Sequence, residues 1–100
     1  MKHKAWVHWL SGHWSQNNAG KSVGKQIAIC KFGMAEEMGE VMGHFKREIR
    51  GDPKPREELL AELGDVLHYI HRYMQLADID PQEVYQINHD KLVKRYGTKS

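Results

Sequence analysis

From about Lys25 to Ile49 the apolar side chains recur at spacings of three and four: Ile27, Cys30, Met34, Met38, Val41, Phe45 and Ile49. That period predicts one long amphipathic helix with a narrow buried stripe. Leu59, Leu63, Val66, Leu67, Ile70, Met74 and Ala77 predict a second helix. It opens at Pro55 and carries Glu57 and Glu58 in its first turn, where the helix dipole favours acidic groups. Between the two, Arg50-Gly51-Asp52-Pro53-Lys54-Pro55 has turn chemistry. Asp78-Ile79-Asp80-Pro81 breaks the pattern again. Asp80 as N-cap, Pro81 at the first position and Glu83 at the third predict a last helix running to about Tyr96. Upstream, Trp6, Trp9, Leu10 and Trp14 keep helical spacing over about residues 3–14, and the polar, glycine-bearing stretch 15–24 reads as a loop. No strand pattern or repeat appears. The expectation is a single all-α domain over residues 1–100, a helical bundle built on a central antiparallel hairpin.

Helical phase then places the carboxylates. At 100° per residue from Met34, the first stripe falls between about −40° and +60°, with Glu37 at about −60° and Glu40 at about −120°. Measured from Leu63, Glu62 lies at about −100° and Asp65 at about −160°. When two antiparallel helices face each other, edges of the same sign lie on the same side. Glu40 and Glu62 are each eleven residues from Gly51, and Glu37 and Asp65 are each fourteen. The hairpin therefore brings four carboxylates level on one side, while Glu36 points away. Gly39 and Gly43 share the back of the first helix, where another helix or subunit could approach closely.

Composition narrows the surroundings. A chain of 100 residues makes a small core for itself, so completion by oligomerisation is expected. A net charge of +2 is too small to argue for nucleic acid or an anionic membrane as partner. No apolar run reaches the roughly 18 residues of a membrane span. The single Cys30 fits a reducing compartment, and a cytoplasmic protein is the default. Cys30 lies on the apolar stripe and reads as inert core.

Four carboxylates repel one another unless a cation joins them, and oxygen-only donors suit Mg²⁺ or Mn²⁺ better than zinc. Such a centre can neutralise a polyphosphate and activate water. Asn88, Lys91 and Arg95 share a face of the last helix and supply the kind of groups a phosphate chain needs. Other signals are weaker. Gly20-Lys21-Ser22 lacks the earlier glycine and the preceding strand of a phosphate loop. His68 and His71 lie away from the acidic edge, and His89-Asp90 is one dipeptide without partners. His44 is the exception, about 20° from Glu37 on the helical wheel. A di-iron carboxylate bundle or a plain oligomerisation module are the competing readings; the first commonly carries Glu-x-x-His pairs, and this chain has none.

Glu36-Glu37-Met38-Gly39-Glu40-Val41, Glu62-Leu63-Gly64-Asp65-Val66-Leu67 and Asn88-His89-Asp90-Lys91-Leu92-Val93-Lys94-Arg95-Tyr96 together resemble the MazG-type nucleotide pyrophosphohydrolases of the all-α NTP pyrophosphatase superfamily. The likeness covers about residues 25–97, and 21 residues separate Glu40 from Glu62, within the spacing of that family's E-x-x-E and E-x-x-D pair. It implies hydrolysis of nucleoside triphosphates to monophosphate and pyrophosphate. It further implies Mg²⁺ held by Glu37, Glu40, Glu62 and Asp65, with one glutamate orienting or deprotonating water. Asn88, Lys91 and Arg95 would contact phosphate and sugar, and the chain would assemble as a dimer or tetramer. Residues 1–24 match none of that family's motifs, so the choice of base falls to this Trp- and His-rich start.

Overall fold

The computed structural model describes residues 20–97, so the helix expected over about residues 3–14 lies outside the described residues. Three α-helices and no strand occur among them: α1 (Val23–Arg50), α2 (Arg56–Leu76) and α3 (Pro81–Tyr96). The all-α expectation holds, and each of the three helices begins and ends within two residues of its predicted bounds. Helix α1 starts earlier than the apolar pattern because Ser22 caps it, its Oγ accepting from the Lys25 N–H at 3.1 Å. Gly20-Lys21-Ser22 thus leads into a helix N-terminus.

Two left-handed residues end the first two helices. Gly51 (φ 85°) follows α1, with its N–H donating to the Glu48 carbonyl and the Asp52 N–H to the Arg47 carbonyl, a Schellman closure. Asp78 (φ 56°) does the same after α2, the Ile79 N–H reaching the Met74 carbonyl at 2.8 Å. Asp80 accepts from the Gln82 N–H at 2.9 Å and Pro81 opens α3, as the sequence predicts.

Helices α1 and α2 form an antiparallel hairpin whose register runs symmetrically about Gly51. Gly33 meets Tyr69, each eighteen residues from Gly51. The seam, however, is rotated from the expected stripe. Cys30, Gly33, Val41 and His44 are the buried residues of α1, and their mean phase is about −60°, the position of Glu37. Met38, Met42, Phe45 and Ile49 stay exposed on α1, and so do Leu60, Leu63 and Leu67 on α2. The cause is local: Gly33 has no side chain, so α2 settles over it and Tyr69 fills the notch. An added Cβ at Gly33 would lie 2.5 Å from the Tyr69 ring. Gly39 and Gly43 have nothing within 4 Å of where a Cβ would stand, so no other part of the described chain uses that back face.

Helix α3 has no buried residue and is not packed along the hairpin. The Cα radius of gyration is 16.4 Å, against about 13 Å for a compact chain of this length.

Three substitutions test this picture. Gly51→Ala places a Cβ in left-handed backbone and is expected to cost about 1–2 kcal/mol in urea unfolding. Gly33→Ala is expected to cost about 1–3 kcal/mol by overpacking the seam, whereas Gly39→Ala, on the open back face, should leave stability unchanged or raise it.

Candidate metal centre

Glu37 sits in the middle of the rotated seam and is half-buried. One oxygen each from Glu37, Glu62 and Asp65 lies within 4.8 Å of the others. The register explains the meeting: Glu37 is level with Asp65, and Glu62 stands almost one turn before Asp65 on the same edge. Glu40 is level with Glu62 but falls outside the group. The seam's rotation centres the interface on Glu37 and turns Glu40 about 60° out of it toward solvent. Three of the four sequence-predicted carboxylates are thus brought together, and the fourth is exposed one turn away.

The electrostatics show the strain of like charges. The Glu37 carboxyl is pushed up to about 7 by burial first, then by the Asp65 charge, by its hydrogen bond to Glu62, and by the Glu62 and Glu36 charges. Tyr69, seated over Gly33, has its phenol raised by burial and then by Glu37, Glu36 and Asp65, so its hydroxyl stays a neutral donor beside the acidic group. Sequence reading missed Tyr69. Its position, four residues after Asp65 on the same edge, was the available signal.

Among the described residues no lysine, arginine or histidine pairs with Glu37, Glu62 or Asp65; the ion pairs lie at the turn, at Lys54–Glu58 and at His89–Asp90. Three converging carboxylates with no basic partner among the described residues could hold a hard divalent cation. Cys30 is fully buried and its thiol is raised by burial, which fits inert core. Asn88, Lys91 and Arg95 are all exposed on α3 and are not brought to the carboxylates in this chain. Arg95 lies over the ring of Tyr96, 5.9 Å from its centroid. His89 and Asp90 contact each other at 3.3 Å on the same exposed helix. No described helix is long and apolar enough to cross a membrane.

The raised Glu37 carboxyl makes a signed prediction. The unfolded chain releases this proton near pH 4.5, whereas the folded chain holds it to about 7. Folding therefore takes up a proton in that window, and metal-free stability should fall as pH rises through it and level off above. The difference in melting temperature between wild type and Glu37→Gln should show this slope. Added Mg²⁺ should raise the wild-type melting temperature more at pH 8 than at pH 6, because binding must displace the proton.

The family model described as the MazG nucleotide pyrophosphohydrolase domain matches residues 28–98, which takes in both acidic clusters and all of α3. Neither the curated proteins nor the solved structures contain a match.

Proposed function

The chain belongs to the MazG nucleotide pyrophosphohydrolase domain family, and on that footing we propose that it is a Mg²⁺-dependent nucleoside triphosphate pyrophosphohydrolase. The reaction is NTP or dNTP plus water to the monophosphate and pyrophosphate. The new bond joins the water oxygen to the α-phosphorus, and the α–β bridging oxygen leaves with its electron pair on pyrophosphate.

The observation that carries this reading is the convergence of Glu37, Glu62 and Asp65, with no basic partner among the described residues. These three would hold Mg²⁺ or Mn²⁺, with Glu40 as the fourth carboxylate. The bound ion would supply charge neutralisation at the phosphoanhydride and polarisation of water. Glu40, outside the trio and one turn from Glu37, would orient or deprotonate the attacking water. Tyr69 offers a neutral hydroxyl beside the carboxylates, suited to hydrogen-bonding a substrate oxygen.

A homo-oligomer, dimer or tetramer, completes the proposal. The exposed apolar side of the hairpin, Met38, Met42, Phe45 and Ile49 with Leu63 and Leu67, is what a second copy would cover. Helix α3 is unpacked, so Asn88, Lys91 and Arg95 would reach phosphate and sugar in the assembly. A role in clearing surplus or noncanonical nucleotides is consistent with this chemistry.

A panel of canonical, deoxy and modified triphosphates, with products separated by chromatography, is the test. Mg²⁺-dependent release of pyrophosphate is expected from at least one. Glu62→Gln should lower kcat by about two to three orders of magnitude, the scale on which one electrostatic stabiliser acts. Release of orthophosphate, or a full rate in Glu62→Gln, would sink the reading.

A further inference from the structure

One turn beyond Glu40 the character of the hairpin reverses. Glu40, His44, Lys46, Arg47, Arg50 and Lys54 line a cavity of about 170 Å³. A second cavity, about 320 Å³, adjoins it and shares His44 and Lys54, with Arg56, Glu48 and Leu59 added. In the first, four cationic side chains face one carboxylate. Asp52, in the turn, anchors Arg47 at 3.6 Å and Arg50 at 3.2 Å. Arg47 also donates from Nε to the Asp52 carbonyl at 3.1 Å. Two guanidinium groups are thus held in place with donors to spare, since each carries five N–H bonds. Lys54 meets Glu58 loosely, at 3.9 Å.

His44 supplies a second, independent observation. It is 5% exposed and borders both cavities. Its ring N–H can donate to an anionic oxygen in the cavity.

The geometry points to a polyphosphate subsite in this basic cavity, which receives the pyrophosphate end of the substrate while the α-phosphate lies at the carboxylates. This rests on the pyrophosphohydrolase reading. The spacing along α1 selects the ligand class. His44 lies seven residues beyond Glu37, about 10 Å of helical rise. A ligand touching both the carboxylate-held cation and the basic cavity must be elongated and carry charge along its length. A triphosphate chain does so; a single phosphate is too short to touch both. The cations of the closed end of the hairpin, which belong to the same chain as the carboxylates, then do work that the sequence pattern alone assigned to α3.

The test uses inorganic tripolyphosphate, titrated calorimetrically into the full chain in metal-free buffer. Saturable binding is expected in the wild type. His44→Gln should weaken it about tenfold, the effect of losing one hydrogen bond to a charged group, and the pair Arg47→Gln/Arg50→Gln should weaken it more. Glu62→Gln should bind as well as wild type or better, having lost a negative charge nearby. Circular dichroism checks folding, and Lys46→Gln, which anchors no other group, should weaken binding in the same direction if the arginine pair fails to fold. No binding by the wild type, or equal binding by all variants, overturns the subsite. Turnover assays separate the two readings. Hydrolysis with KM unchanged in Lys46→Gln and His44→Gln would leave the activity standing and remove the subsite. Tripolyphosphate binding that is lost in those variants, with no nucleotide turned over, would do the reverse.

Discussion

The packing of α1 against α2 is the one helix–helix interface of substance among the described residues, and both the fold and the acidic centre depend on it. Its apolar core is thin: Cys30, Val41, Val66 and Met74 are buried, joined by Gly33, His44 and His71. Glu37 stands inside this seam. The interface that stabilises the hairpin therefore also forces Glu37 toward Glu62 and Asp65, and the repulsion among them acts directly against packing. A cation would convert that repulsion into a cross-link between the helices. Metal binding and hairpin stability are then two readings of one equilibrium.

The thinness of the core also bears on assembly. A chain of this size buries a modest share of its surface even when compact, and here α3 adds no buried residue. The side of the hairpin opposite the carboxylates is lined by methionine, phenylalanine and leucine in contact with solvent. One hairpin thus presents an acidic side and an apolar side, divided by the seam. Such a division suits a subunit that keeps its chemistry on one side and its neighbours on the other.

Much of this was legible in the sequence. Helix bounds followed from periodicity, from Gly51 and from the Asp80-Pro81 start. The register about Gly51 was legible too, because an antiparallel hairpin with a tight Schellman closure leaves little freedom in which residues are level. What escaped was the rotation of each helix about its own axis. Hydrophobic phase favoured Met38, Phe45 and Ile49 as buried, but a glycine exerts no hydrophobic signal, and Gly33 decided where α2 would rest. The rotation drew Glu37 inward, carried Glu40 outward and buried His44. The placement of Asn88, Lys91 and Arg95 escaped for a different reason: nothing in a helix's own pattern says what it packs against.

The turn at Gly51 has a bearing on how such a chain can change length. Because the two arms are level about that residue, the hairpin behaves as a gauge. One residue inserted into a single arm between the carboxylates and the turn would shift that arm about 1.5 Å and turn it about 100° against the other. Three carboxylates would no longer meet. An insertion in both arms together, close to two full turns in each, would return every group to its side and leave the centre whole. Growth or shortening of this hairpin is therefore constrained to matched pairs, and the spacer between the acidic clusters records that constraint in its length.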